Sequence, residues 1–227
     1  MGSDFSLDGY TSFFIPALQS TAGRAKGGLL TLVSVSLSCR YESLVSGSPQ
    51  FGVVLLTFAH TKLLVVNIYN PDLQTHSATF QSLESFLEDF YQDNRSFVPL
   101  LLMGDFNVHL CSLCSQLVNR YCDSCDLLPH FEHSAKGDHL NQLMANFNLV
   151  NAAEVGLDNC TSARTPTYIG RGCNSVIDFI LISGCLSEQV RQYNVLIDGR
   201  SDHNLLRVLL KRELKATSSC HLRDSVG

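Results

Sequence analysis

The run Phe97-Val-Pro-Leu-Leu-Leu-Met103 constrains this chain more than any other segment. Its apolar residues do not alternate with polar ones, so both faces of the strand it forms must be covered. At seven residues it is far too short for a membrane span. Immediately before it, residues 75–94 change period: Leu83, Phe86, Leu87, Phe90 and Tyr91 recur at helical spacing, with Glu84, Glu88 and Asp89 opposite them. An amphipathic helix feeding a doubly covered strand is the signature of a layered α/β fold.

The remaining pattern extends that layer. Gly27-Gly28 opens a run, Leu29 to Leu37, in which Leu29, Val33, Val35 and Leu37 share one face of an expected strand. Ser46-Gly-Ser-Pro49 reads as a turn before strands at Phe51–Phe58 and Lys62–Tyr69, joined by the short connection Ala59-His60-Thr61 and closed by Asn70-Pro71. Leu140, Leu143, Met144 and Phe147 mark a second helix. Further strands are expected at Val176–Ile182, Gln192–Leu196 and Leu205–Leu210, with 211–227 a disordered tail. Short hairpins interleaved with helices favour a mixed sheet in one domain, residues 1–210.

With 45% hydrophobic and 16% charged residues the chain is not of the disordered class. A net charge of −5 does not advertise a nucleic-acid binder, although the placement of charges matters more than their sum. The first residues, MGSDFSLDGYTSFF, have no basic region and no cleavable apolar core, so an intracellular, non-secreted chain is expected. On the same ground the nine cysteines are read as reduced thiols.

Four motifs carry chemistry. Gly104-Asp105-Phe106-Asn107 follows the buried strand, where a carboxylate and a carboxamide two residues apart either enter one crevice or merely end the strand. Ser201-Asp202-His203 stands at the entry to the last strand. Ser175-Val-Ile-Asp178-Phe-Ile-Leu sets a carboxylate inside an apolar strand, where it needs a partner, and an imidazole is the obvious one. Asn67-Ile-Tyr69-Asn70-Pro71 puts a phenol at a strand end.

In this order the motifs resemble the endonuclease/exonuclease/phosphatase superfamily, over about Gly9 to Leu210. Gly9-Tyr10, Gly27-Gly28, Asn146-Phe-Asn-Leu149-Val-Asn and Thr165-Pro-Thr-Tyr168 are most similar to the endonuclease domain of non-LTR (LINE-type) retrotransposon polyproteins. Tyr168 stands where a tryptophan is common in that branch. The resemblance implies a DNase-I-like four-layer sandwich, two packed mixed β-sheets with helices on both outer faces. It further implies Mg²⁺- or Mn²⁺-dependent hydrolysis of DNA phosphodiesters, and a nuclear location. By it, Asp105 orients or deprotonates the attacking water, Asn107 and Tyr69 contact the phosphate, His203 backed by Asp178 stabilises the phosphorane, and Asp202 lies near the metal. Two other readings stay open: a catalytically inactive remnant binding nucleic acid or protein, and a phosphatase or RNA nuclease of the same superfamily.

The family site also uses an Asn near the start of its first strand and a metal-ligand Glu at the end of its second. Only eight residues precede Gly9, and the first glutamate is Glu42. The expectation is a chain truncated at its start relative to the family, with impaired catalysis and a first sheet short of two strands. Two secondary features remain. Cys111-x-x-Cys114 and Cys122-x-x-Cys125 either bind zinc or lie reduced in a loop. Arg24, Lys26, Arg164, Arg171 and Arg200 either ring the site and contact phosphates or are ordinary solvated charges. Neither the assembly state nor the strand preference is legible.

Overall fold

The computed structural model describes residues 7–17, 27–71, 76–94, 96–108, 135–155, 165–170, 174–197 and 199–211. Its centre is a six-stranded mixed sheet with strand order β3-β4-β5-β6-β10-β7. These strands are β3 (Arg40–Leu44), β4 (Phe51–Thr57), β5 (Lys62–Tyr69), β6 (Leu100–Asp105), β7 (Leu149–Asn151) and β10 (Asp178–Ser183). β5 and β6 run parallel and every other pair in this sheet is antiparallel. The parallel step requires a crossover, and helix α1 (His76–Asp93) supplies it.

One face of the sheet packs on α1 and α2 (Ala135–Asn146). Leu83 and Leu87 of α1, with Leu140 and Leu143 of α2, are at most 1% exposed, and they meet Leu64, Leu100 and Leu102 of the sheet. Each such side chain contributes about 1.5–3 kcal/mol through its removal from water. Tyr91 packs in the same layer and donates its hydroxyl to the Val98 carbonyl at 2.7 Å, which anchors the chain entering β6. This is why the apolar run from Phe97 has no alternation: Leu100 and Leu102 face the helices, while Leu101 belongs to the opposite core.

That opposite face carries two antiparallel ribbons, β1 (Tyr10–Ile15) with β2 (Leu29–Ser34), and β11 (Val190–Leu196) with β12 (Leu205–Leu210). A separate short pair joins β8 (Tyr168–Ile169) to β9 (Asn174–Ser175). Val33 of β2 packs over Val54, Leu63 and Val65, and Val190 and Tyr193 pack with Ile180 and Ile182. The second sheet is thus two separate ribbons among the described residues, with β2 and β12 each paired on one side. A cavity of about 1450 Å³ lies between them, walled by Leu30, Leu32, Leu206 and Leu210, lined also by Leu101 and Met103, and reaching Asp105 and Asp178. The long helices α1 and α2 lie on one outer face, and on the ribbon side the described residues add only the short α3 (Ala152–Val155) and a 3-10 turn, Gly184–Gln189. Among the described residues no helix is long and apolar enough to cross a membrane.

Three expectations are corrected. The strand opening at Leu29 stops at Ser34, because Val35–Leu37 turn as a 3-10 helix capped by the Ser34 hydroxyl, leaving Val35 64% and Leu37 47% exposed. β1 and β3 were not foreseen: their exposed residues are held by pairing to β2 and β4 rather than by an apolar stripe. Cys185 is disulfide-bonded, so the reading of nine reduced thiols fails there, while Cys39 is free. The four cysteines of the paired motif and the expected tail, except Lys211, lie outside the described residues.

Candidate active site

Three chain segments converge at one end of the central sheet. Tyr69 at the end of β5 sits beside Asp105 at the end of β6 in the parallel register, and Asp105 is opposite Asp178, the first residue of β10. Gly104 makes this approach possible. Its φ is +140°, and a Cβ at that position would collide with the Ile68 carbonyl oxygen, so only glycine lets β6 pair this closely with β5. The Tyr69 ring in turn lies against Gly27, whose φ of +84° favours glycine.

Beyond β6 the chain folds back on its own carboxylate. Asp105 Oδ1 accepts the Asn107 amide at 2.9 Å, and Asp105 Oδ2 accepts the Asn107 carboxamide at 3.1 Å. Asn107 adopts φ +48°, a left-handed conformation that Asn tolerates better than most residues. Its Nδ2 also donates to the Asn70 carbonyl at 2.7 Å, so the carboxamide nitrogen is committed to the protein. Asn70, fully buried, donates to the Phe106 carbonyl at 2.8 Å and locks the β5 and β6 ends together.

His203 reaches the site from the segment before β12. Its Nδ1 lies 3.1 and 3.0 Å from the two Asp178 oxygens, and its own amide donates to Ser201 Oγ at 3.1 Å. An ionised carboxylate can only accept, so the imidazole proton sits on Nδ1. Nε2 has no protein partner among the described residues. The ligand atoms of Asp105, Asp178 and His203 all lie within 4.8 Å of one another.

Electrostatics follow from that crowding. Burial pushes Asp105 up to about 6 from its ordinary 3.8, helped by the nearby Asp178 charge and opposed by the Asn107 bonds and by His203. Burial also raises Asp178, against the bonds from Thr167 and His203 that hold it ionised. Burial disfavours the charged form of His203, but the Asp178 bond and the charges of Asp178, Asp105 and Asp202 outweigh it and raise this group. Asp202 is exposed and acts on Asp178 and His203 by its charge, outside the three-residue group.

Several participants were not foreseen. Thr167 is 1% exposed and bonded to β10, Tyr168 packs on the His203 ring at 5.0 Å between centroids, and Tyr193 is buried near enough for Asp178 to raise its phenol to about 12, after burial itself. The Pro166-Thr167 pair was visible in sequence, but nothing in the spacing tied it to Asp178. Of the basic residues, Arg200 is exposed, and Arg24, Lys26, Arg164 and Arg171 lie outside the described residues.

This fold with this acidic and imidazole cluster is that of the DNase-I-like endonuclease/exonuclease/phosphatase superfamily. Over 90% of its length the chain superposes on the endonuclease domain of TRAS1, a telomere-specific non-LTR retrotransposon, covering 80% of that chain (TM-score 0.60, 17% identity). It superposes likewise on the AP endonuclease LMAP from Leishmania major, covering 90% of this chain and 71% of the other (TM-score 0.66, 14% identity). A 3′ phosphatase, NExo, from Neisseria, bound to a product DNA hairpin, matches over 89% of this chain and 80% of its own (TM-score 0.59, 16% identity). No curated protein matches in sequence. The model of the endonuclease-reverse transcriptase family matches residues 63–207, more than half of the chain, and the chain belongs to that family.

Proposed function

We propose that this domain hydrolyses DNA phosphodiester bonds with the help of a divalent metal ion, as a retrotransposon-type endonuclease. The observation that carries the reading is the convergence of Asp105, Asp178 and His203, from three separate segments, within 4.8 Å. The DNA substrate is favoured by the structurally similar proteins, two of them endonucleases and one a phosphatase bound to a DNA hairpin.

Two half-buried carboxylates side by side, both with raised proton affinity, fit a hard divalent cation, and oxygen donors suit Mg²⁺ or Mn²⁺. The cluster's carboxylate oxygens, with Asp202 at the rim, would hold it. When bound, the ion neutralises charge building on the phosphate. Asp105, poised at about 6, orients the attacking water and takes its proton at neutral pH. The water oxygen bonds to phosphorus, the bond to one ester oxygen breaks, and a proton ends on that leaving oxygen. His203, charged through Asp178, turns Nε2 to the phosphoryl oxygens and stabilises their negative charge. Tyr69 supplies a phenol donor to the phosphate, and Asn107 stiffens Asp105 through its two bonds to that carboxylate. Arg24, Lys26, Arg164, Arg171 and Arg200 are the candidates for contacts along the DNA backbone.

A second reading, a binding domain without turnover, is favoured by the apolar cavity beside the site. Relaxation of supercoiled plasmid, with protein in excess over DNA, separates the two. Nicking that needs Mg²⁺ or Mn²⁺, stops with EDTA and is lost in Asp105→Ala supports hydrolysis. Salt-sensitive DNA binding without any nicking supports the second reading.

A further inference from the structure

Asp178 and His203 belong to different layers. Asp178 begins β10 in the central sheet, whereas His203 precedes β12 in a ribbon that pairs only with β11 among the described residues. No ladder of backbone bonds between β10 and β12 fixes their separation. Besides side-chain packing, a short segment, Pro166–Tyr168, lies between the two and bonds to both.

Thr167 is the centre of that segment. Its hydroxyl oxygen accepts the amides of Ile177 and Asp178, both at 3.0 Å. A threonine hydroxyl has two lone pairs and one proton. With both lone pairs taken, only the hydroxyl proton is left to donate, and Thr167 favours the ionised form of Asp178. The backbone of the same residue reaches both neighbours: its amide donates to the Ser175 carbonyl at 2.9 Å, and its carbonyl accepts the Asn204 amide at 2.7 Å. Asn204, next to His203, returns a side-chain bond to the Pro166 carbonyl at 2.8 Å. Tyr168 then bridges to His203 by backbone pairing and lies against its ring.

The geometry points to Thr167 as a positioning residue: its hydroxyl sets the Asp178 carboxylate while its backbone holds the His203 segment, so that one buried side chain aligns the pair across two layers. Thr167 is 1% exposed, and its effect is transmitted through Asp178. The inference rests on the proposed phosphodiesterase role of that pair only for its kinetic consequence. Its structural content stands apart from catalysis.

The test compares Thr167→Val, which keeps the shape and removes the hydroxyl, with Thr167→Ser, which keeps the hydroxyl. The first readout needs no activity: the His203 Nδ1 proton of the metal-free protein at fixed pH, seen by NMR as a downfield resonance when it is bonded to a carboxylate. The signal should be present in the wild type and Thr167→Ser and broadened or lost in Thr167→Val. The second is plasmid nicking, where Thr167→Val should lose up to about 100-fold in kcat with KM little changed, because sub-ångström to ångström misplacement acts on the reacting geometry. Thr167→Ser should restore most of that loss. Since Thr167→Val leaves two amides without an acceptor, Thr167→Cys, whose thiol is a weaker acceptor and donor of similar size, serves if it does not fold. That variant should weaken the same resonance. A folded Thr167→Val, or a Thr167→Cys standing in for it, that retains the wild-type Nδ1 signal overturns the inference. If the wild type nicks nothing, the proposed function fails while the NMR comparison still decides the role of Thr167.

Discussion

Replacing Asp105 by Asn should stabilise the metal-free protein at neutral pH while abolishing hydrolysis. Burial raises the Asp105 pKa from 3.8 to about 6, a displacement equivalent to about 3 kcal/mol at 1.36 kcal/mol per unit. The group is only partly enclosed, so solvent screening trims this to about 1–2 kcal/mol. Asn keeps the oxygen that accepts the Asn107 amide but loses the second bond, to Asn107 Nδ2, which takes back part of the gain. A net gain of about 1 kcal/mol remains, or about 2–4 °C in Tm for a chain of this size. The sign depends on pH. The folded-state pKa is above the unfolded one, so the folded wild type holds its proton more tightly, and this contribution is fully present below about 4 and lost as pH rises through about 6. The advantage of Asp105→Asn should therefore be full above pH 7 and vanish near pH 4. Urea melts in EDTA at both pH values measure it. Adding Mg²⁺ should reverse the order, because the wild type gains about 2.7 kcal/mol at 100 times its Kd and the variant gains much less. A variant less stable than the wild type in EDTA at pH 7.5, or equally stabilised by Mg²⁺, would refute the electrostatic account of this carboxylate.

Other outcomes follow from the same geometry. Gly104→Ala should destabilise the fold by several kcal/mol in denaturant melts, since the new methyl meets the Ile68 carbonyl and the φ of +140° is unfavourable for any side chain. Leu102→Ala, which opens a cavity between the sheet and α1, should lower stability by about 2–5 kcal/mol without altering metal affinity measured calorimetrically. DNA affinity, read by fluorescence anisotropy, should fall steeply between 50 and 200 mM salt if the arginines contact phosphates, and a flat dependence would remove them from the interface.

Sequence alone revealed the elements whose burial is one-sided or complete. α1 and α2 were legible because Leu83 and Leu143 stand in apolar sets at helical period, and β4, β5 and β6 because their apolar runs are nearly continuous and Gly, Pro and Asn punctuate the ends. The pairing of Asp178 with an imidazole was legible too, because a carboxylate in an apolar strand must find a donor, and the structure gives it His203. β3 was not: Arg40, Tyr41, Glu42 and Ser43 are exposed, and only the ladder to β4 makes them a strand. Nor was the Val35–Leu37 turn, where apolar residues in register with the strand are left in solvent by a side-chain cap from Ser34. Thr167 escaped for a related reason: its role depends on where three distant segments meet, and spacing along the chain carries no record of that.

The central claim is that Asp178 and His203 act as one unit beside Asp105. A double-mutant cycle on the Mg²⁺-dependent, single-turnover nicking rate tests it most directly, using Asp178→Ala, His203→Ala and the pair together. The account predicts that each single change removes most of the rate and that the double variant is scarcely slower than either. Losses that multiply in the double variant, or single variants as fast as the wild type, would contradict it.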